Sequence, residues 1–363
     1  MDNPKVAVLI PTLNNHEELE IVLKSLKSQT WKGQLEIAVV GPTNDPGKEI
    51  TEIHGATWID DKGSLNRADA CNIGINELNC DILCFTDDDV IPEKDWVEKL
   101  VRWFVRDEVA GVGGQNWAPK EDPFLAKITD VAFGAKYVTA GTRYGKVAQG
   151  ELIEIEHNPG CNSAYRKVIL DEVEGFEPGC IGAEDVVLDH KIRSKGHRLW
   201  FDPESTMPHR RRVPPALFKQ MKNYGYVRTL ANSRWPELRS WSHLAIGMFP
   251  ILFYAFIISI IMGLITNGFN DDILSNLITE LYFLIPIVLA TIYILICWLG
   301  SILGNSPHRN MITIFFSPIM IFSAHYYYGF GVIKGLFQIY PVSYTHLRAH
   351  ETPEHLVCRL LLE

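Results

Sequence analysis

The chain has no pair of cysteines at metal-ligand or redox spacing. Its seven Cys are scattered, and Cys84, Cys161 and Cys297 sit among apolar or small residues. That pattern excludes a zinc ribbon and a disulfide framework, and it reads as reduced structural thiols. There is no internal repeat and no low-complexity tract, so a solenoid or a long disordered linker is not expected. No basic-then-apolar leader opens the chain. Met1-Asp2-Asn3-Pro4-Lys5 runs straight into an apolar segment, which predicts that the first domain stays in the cytoplasm. Charge is missing from two long stretches, Leu244 to Thr266 and Leu281 to Leu303. Soluble helices seldom run so far without a charge, and each stretch reaches the roughly 20 apolar residues that cross a bilayer.

With 363 residues and 47% hydrophobic content, the chain can hold a full α/β domain and a membrane region. A third candidate span, Met311 to Phe337, is interrupted by His325, Lys334 and several Gly. The net charge of −9 hides an asymmetry. His209-Arg210-Arg211-Arg212, Lys219, Lys222, Arg228, Arg234 and Arg239 all precede the first span. The next loop carries Asp271, Asp272 and Glu280 without Lys or Arg, and the loop after it holds His308 and Arg309. Positive-inside bias then puts residues 1–210 and the second loop in the cytoplasm and leaves the C-terminus of a three-span protein outside. Residues 211–243 form a basic segment suited to anionic head groups. Aromatic interleaving is thin there, so a nucleic-acid partner is not expected. The expected membrane region is 244–340, with spans near 244–266, 281–303 and 311–337. Residues 341–363, with three His and Pro353, continue no preceding pattern and read as translated adaptor sequence rather than native chain.

The soluble part alternates. Val6 to Ile10 is a β-branched run ended by Pro11, and Leu19, Val22, Leu23 and Leu26 then recur at helical spacing. Leu35 to Val40 reads as a strand, Ile73 to Leu78 as a helix, Ile82 to Phe85 as a strand, and Trp96 to Phe104 as a helix. Strand–helix alternation predicts an α/β domain with a mixed, mostly parallel sheet covered by helices on both faces. Phe124 to Tyr137 reads as a further helix and Lys146 to Glu156 as a strand pair. The Ile82 run ends in Asp87, Asp88 and Asp89. Open α/β sheets bind ligands at the carboxyl ends of their strands. Three adjacent acids there repel unless a cation joins them, and Mg²⁺ or Mn²⁺ is the natural candidate. A solvated acidic turn is the plain alternative.

Further segments, in order, resemble family 2 glycosyltransferases with the GT-A (Rossmann-like) fold, over about residues 5 to 230. Val8-Leu9-Ile10-Pro11-Thr12-Leu13-Asn14-Asn15 resembles the family's opening strand and nucleotide-contacting loop. Ser64 to Gly74, with Arg67 and Asn72, resembles the segment lining the nucleotide site. Thr86-Asp87-Asp88-Asp89 resembles the Asp-any-Asp metal motif. Pro159 to Arg166 resembles the acceptor-side loop that contains Asn162. Gly175-Phe176 followed by Gly182-Ala183-Glu184-Asp185 resembles the Glu-Asp motif that opens a helix, with Leu188, Arg193 and Gly196 after it. His209 resembles the late metal-site histidine.

The resemblance implies nucleotide-sugar binding by Pro11, Thr12, Asn14, Asn15, Lys62, Arg67, Asn72, Asp87 and Asp88. It implies a cation on Asp87, Asp89 and His209, and an acceptor side made by Asn162, Trp117 and Arg193. It makes Asp185 the general base, with Glu184 beside it. Plainer readings stand next to these: Lys62 and Arg67 as surface cations, Asn162 as a turn residue, Trp117 as core, Glu184 and Asp185 as first-turn acids favoured by the helix dipole, and His325 as a helix-to-helix hydrogen-bonding group.

One base and no carboxylate nucleophile imply inverting transfer of a single sugar. The expected donor is a UDP- or GDP-sugar and the expected acceptor a lipid-linked saccharide or polyprenyl phosphate at the membrane. Two departures matter. Gly41-Pro42-Thr43-Asn44-Asp45 stands where many members carry a base-contacting Asp, so Asn44 or Asp45 is the remaining choice. Gln220-Met221-Lys222-Asn223-Tyr224 lacks the Arg-Trp of processive synthases, which sets a polymerase behind single addition. A catalytically silent membrane scaffold is the rival from another class. A sugar nucleotidyltransferase fits least, because no Gly-rich phosphate loop follows the first strand.

Overall fold

The computed structural model describes residues 4–64, 66–136, 151–267 and 273–346. The expected alternation is present. β1 (Val6–Pro11) leads to α1 (His16–Lys27), whose buried stripe is Leu19, Val22, Leu23 and Leu26. Glu17 and Glu18 in its first turn and Lys24 and Lys27 in its last suit the helix dipole. Then come β2 (Leu35–Gly41), α2 (Gly47–Ile53), β3 (Thr57–Asp60), α3 (Arg67–Glu77) and β4 (Ile82–Phe85). β3 and α2 had no expectation, because Thr57-Trp58-Ile59-Asp60 is too short a run to stand out. α3 begins six residues before Ile73, where Asn66 caps it by accepting from the Asp69 amide.

After β4 the chain forms α4 (Trp96–Val101), a 3₁₀ turn (Arg102–Val105), β5 (Val109–Trp117) and α5 (Phe124–Phe133). β6 (Ile153–Ile155), β7 (Ser163–Arg166), α6 (Lys167–Glu172), α7 (Glu184–Ser194) and β8 (Arg198–Pro208) complete the sheet. The expected strand pair over 146–156 shows β6, and its residues 146–150 lie outside the described residues. Strand order is β3-β2-β1-β4-β7-β5-β8-β6. β1–β2, β1–β4, β2–β3 and β5–β8 are parallel; β4–β7, β5–β7 and β6–β8 are antiparallel. The sheet is mixed and mostly parallel, as expected.

Alternation along β1 sends Ala7 and Leu9 to one apolar layer and Val6, Val8 and Ile10 to the other. Both layers are buried, which is why the central strands read as continuous apolar runs. Antiparallel β7 lies between β4 and β5, so the turn that enters β7 stands beside the acids that leave β4.

Beyond β8 the chain is helical: α8 (Ala216–Arg234), a 3₁₀ turn (Pro236–Leu238), α9 (Trp241–Gly247), α10 (Phe249–Asn267), α11 (Ile273–Leu303) and α12 (Met311–His346). There are two compact units. One runs to Pro214 and includes Leu284–Phe322; the other is Pro215–Phe283 and the chain from Ser323. In the second unit, α8 meets α12 backbone to backbone. A Cβ added to Gly225 or Gly331 would stand 2.0 Å from the Tyr328 or Lys222 carbonyl oxygen, the close approach that small residues permit. His325 packs edge-on to Phe249 there, with ring centroids 5.5 Å apart.

Among the described residues, two helical segments are long and apolar enough to cross a membrane, Trp241–Thr266 and Thr279–Leu303. The expected third span near 311–337 is corrected. α12 has the length, but His325, three Tyr and Lys334 dilute its apolar character. Its helix also continues to His346, past the expected boundary at 341. The acidic loop residues Asp271 and Asp272 and the tail from 347 lie outside the described residues.

Arg166 pins the start of β5. Nearly buried, it donates to the carbonyls of Phe104 and Val109 at 2.9 and 2.8 Å and to that of Arg106 at 2.8 Å. Arg166→Met would leave those carbonyls without a donor, so we expect chemical unfolding to show a loss of about 2–4 kcal/mol. An unchanged midpoint would mean that the carbonyls find other donors.

Candidate active site

The three acids after β4 part company. Asp87 accepts from Arg67, Nη2 at 2.7 Å and Nε at 3.2 Å, both on Oδ1. Asp88 accepts from the Thr12 hydroxyl at 2.6 Å and from Asn15 Nδ2 at 3.0 Å. Asp89 Oδ1 lies 3.9 Å from His209 Nε2. Each neighbour thus has its own partner, which relieves their mutual repulsion. Burial still pushes the Asp88 carboxyl upward, against the hydrogen bonds from Thr12 and Asn15.

Asp88 ties the loop after β1 to the end of β4. That loop is shaped further by Asn14, at φ 55°, whose amide donates to Asp45 Oδ2 at 2.7 Å. Asp45 also accepts the Gly47 amide at 2.7 Å and is buried. Asp45 is therefore committed to loop geometry and is not a base-reading group, while Asn44 is exposed.

Across the cleft, Gly182 and Ala183 both take left-handed backbone, φ 79° and 59°. For Ala this costs roughly 1 kcal/mol, and the result is a sharp turn that opens α7 on Glu184 and Asp185. Arg67 Nη1 is 3.6 Å from Glu184 Oε1, and its Nη2 donates to the Gly160 carbonyl at 3.0 Å. A Cβ on Gly160 would lie 3.4 Å from Asp185 Oδ2. Asp87, Arg67, Gly160, Glu184 and Asp185 therefore form one cluster, drawn from four segments far apart in sequence. Burial first, and Asp185 second, raise the Glu184 carboxyl above its ordinary value, with Arg67 opposing.

One turn behind Asp185, Asp189 is fully buried. It accepts from the Tyr165 hydroxyl at 2.8 Å and the Asn158 amide at 2.5 Å, and burial pushes its carboxyl well up. Sequence reasoning missed it. Its signal was an acid in register with Val187, Leu188 and Ile192 on the apolar face of α7.

His209 donates its amide to the Trp117 carbonyl at 2.7 Å, and its Nδ1 is 3.7 Å from Cys161 Sγ. Trp117 is half-buried at the carboxyl end of β5, beside His209. Asp87, Asp89 and His209 supply oxygen and imidazole donors at one strand edge, a set that suits a hard divalent ion. Among the described residues no group of three His, Cys, Asp or Glu is placed to hold a metal ion, so Asp87, Asp89 and His209 do not converge as a ready ligand set.

Five expectations need correction. Asn72 does not face a ligand: its amide holds the Phe176 backbone at both ends, 2.9 and 2.8 Å. Asn162 is fully buried, with Oδ1 accepting from Trp96 Nε1 at 2.8 Å and Nδ2 donating to the Ser205 carbonyl at 3.1 Å, so it holds the turn rather than an acceptor. Lys62 points outward and pairs with Glu77 at 3.1 Å. Arg193 lies along α7 past Asp189, with a buried Nε and outside the cluster. Arg211, expected at a lipid surface, instead forms a buried pair with Asp130 at 2.7 Å. Pro11 ends β1 at the cluster's edge; Leu65, within the Ser64–Gly74 segment, lies outside the described residues.

Residues 7–174 match the family model of glycosyl transferase family 2. The probable glycosyltransferase YdaM of Bacillus subtilis is 28% identical over 213 residues, 55% of this chain and 49% of that protein. Glycosyltransferase AglE of Haloferax volcanii is 33% identical over 210 residues, 54% of this chain and 64% of that one. The chain thus spans about half the length of the first of these relatives. Among solved structures, the mannosyltransferase PcManGT of Pyrobaculum calidifontis, in complex with GDP-Man and Mn²⁺, covers 93% of this chain and 88% of its own. Its TM-score is 0.57 at 16% identity. That likeness supports the expected GT-A fold, and the match to glycosyl transferase family 2 is carried by residues 7–174.

Two outcomes follow from the geometry. Asn72→Ala should cost roughly 1–3 kcal/mol through the freed Phe176 backbone groups, while the folded fraction keeps its nucleotide affinity in a binding titration. Weakened affinity without lost stability would return Asn72 to the ligand. Glu184 holds its proton more tightly folded than unfolded, so its ionisation opposes folding as pH rises through the raised folded value. Glu184→Gln should therefore melt higher than wild type near pH 8, and the gain should vanish below the ordinary carboxylate range. A gain that grows in acid would contradict this sign.

Proposed function

We propose that this family 2 domain moves one sugar, with inversion, from a UDP- or GDP-sugar to a membrane-associated acceptor, a lipid-linked saccharide or a polyprenyl phosphate. The observation that carries the reading is Arg67, whose guanidinium reaches Asp87 of the acidic triplet and Glu184 beside Asp185. Donor-side and acceptor-side carboxylates are thereby within one cleft.

Asp87 and Asp89 would hold Mg²⁺ or Mn²⁺ with His209 beside them, and the ion would supply positive charge to the departing diphosphate. Both Arg67 bonds fall on Oδ1 of Asp87, which leaves Oδ2 for the ion. The guanidinium, already at the cluster's centre, is a fitting donor to phosphate oxygens. Thr12 and Asn15, by fixing Asp88, hold the nucleotide loop against this edge.

Asp185 takes the proton of the acceptor hydroxyl as it attacks, a role typically worth about 10²–10⁴-fold. Raised, buried Glu184 flanks it. Direct attack by one activated hydroxyl inverts the anomeric centre. The complex of the Pyrobaculum calidifontis relative with GDP-Man and Mn²⁺ supports a nucleoside-diphosphate sugar with a divalent ion.

A membrane setting is supported by the surface of the two apolar helices. Leu252, Ile258 and Leu264 on α10 are exposed, and so are Leu284, Ile287 and Leu289 on α11. Large exposed apolar faces of this kind mark a membrane or protein contact. In the first unit, the loop after α11 packs on α5, with the Asn305 amide donating to the Gly134 carbonyl at 2.9 Å. His308 and Arg309 therefore share the side of the catalytic domain, as positive-inside bias requires for a cytoplasmic active site.

Melting of the detergent-purified chain should rise with one nucleotide-sugar, UDP-, GDP- or dTDP-linked, and only with Mn²⁺ or Mg²⁺ present. Asp185→Asn should keep that shift and lose transfer by about 10²-fold or more. Equal turnover by wild type and variant would favour the silent scaffold, and long products would favour a polymerase.

A further inference from the structure

We propose that Asp130 is the positioning residue for the rim that carries His209 and Trp117, and that the loop between α11 and α12 completes its support. Asp130 is on α5 and fully buried. Its Oδ1 accepts from the Ala118 amide at 3.0 Å and from Arg211 Nε at 2.7 Å. Arg211 Nη2 also donates to the Asn116 carbonyl at 2.5 Å. The parallel β5–β8 ladder ends at Trp117 and Pro208. Past that point, the His209–Trp117 hydrogen bond and the Asp130–Arg211 pair keep the two chains together.

The loop closes the arrangement from the other side. Ser306 donates to Asp130 Oδ2 at 2.7 Å. His308 Nε2 lies 2.7 Å from the Ala118 carbonyl, which can only accept, so Nε2 carries the proton. All these residues belong to the first compact unit. A buried ion pair is a poor way to gain stability, since desolvation offsets its attraction. What this pair supplies is geometry. It fixes Asn116, Ala118 and Arg211 at set distances; Trp117 lies between the first two, and His209 stands two residues before Arg211. The loop that follows α11 is thus a structural part of the active-site rim.

The inference rests on the reading that His209 stands at a cation site, and two separate measurements distinguish the two claims. In the full chain, Asp130→Asn keeps an acceptor for the Ala118 amide but leaves Arg211 without a counter-charge. Amide exchange at 116–118 and 209–211 should quicken while exchange at 12–15 stays unchanged. Mn²⁺ affinity in the presence of GDP or UDP should weaken about tenfold, as loss of an outer partner of a metal ligand does. Ser306→Ala, which cannot unfold the domain by stranding a charge, should move both readouts in the same direction by less. Asp130→Asn combined with Arg211→Gln, a neutral hydrogen-bonding pair, should restore both. Rim exchange unchanged in the folded variants would overturn the proposal. Quickened exchange without any Mn²⁺ binding by wild type would keep Asp130 as the rim's support and remove the cation from His209.

Discussion

The site depends on one cation among many acids. Asp87, Asp88, Asp89, Glu184 and Asp185 are gathered at one edge of the sheet, and like charges at such spacing raise one another's proton affinity. Arg67 answers this with a single group: it binds Asp87, approaches Glu184 and donates to the Gly160 carbonyl. A lysine would meet one acid at a time. The planar guanidinium presents several donors in fixed directions and can engage two carboxylates and a carbonyl together. Because it is half-buried among them, Arg67 keeps the acidic edge folded while leaving it able to exchange partners with an anionic ligand.

Sheet order makes that gathering possible. β1 and β4 are adjacent and parallel, so the loop after one and the acids after the other emerge together, and Thr12 and Asn15 can close on Asp88. β7 runs antiparallel to β4, so the turn entering it brings Gly160, Cys161 and Asn162 to the same edge. α7 then arrives through two left-handed residues and opens on the Glu184-Asp185 pair. Residue 160 stands close to both groups, since a Cβ there would lie 3.4 Å from Asp185 and 3.5 Å from Arg67, in ordinary contact.

How much of this was legible in the sequence follows from how local each signal was. β1, β2 and β4 are continuous apolar runs, and α1 carries a clean stripe, so they could be read directly. Asp87, Asp89, Asp185 and His209 stood in recognisable order, and they come to one edge. β3 was missed because four residues carry no period. Asn72, Asn162 and Lys62 were misjudged for another reason. Sequence shows that a polar residue lies near a site, but not which way its side chain turns, and the partners of Asn72 and Asn162 are backbone groups and the Trp96 indole, 43 to 104 residues away. α12 was overcounted as a span because length is visible in sequence more readily than the effect of His325, Lys334 and three Tyr on its surface.

Three acids share a logic, and two of them, Asp189 and Asp130, went unread in the sequence. Asp88 fixes the loop after β1, Asp189 fixes α7 behind Asp185, and Asp130 fixes the rim that holds His209. Asp189 and Asp130 are fully buried and Asp88 is half-buried, and each is satisfied by hydroxyl, amide or guanidinium donors, whereas Asp87 and Asp89 keep exposed carboxylate surface. Burial is costly for a carboxylate, so a buried one with a full donor set makes a stiff joint, because any displacement strands it. A half-exposed one can change partners at little cost. The fold thus divides its acids by solvent access: the inner set locks three segments in register, and the outer set remains free to bind.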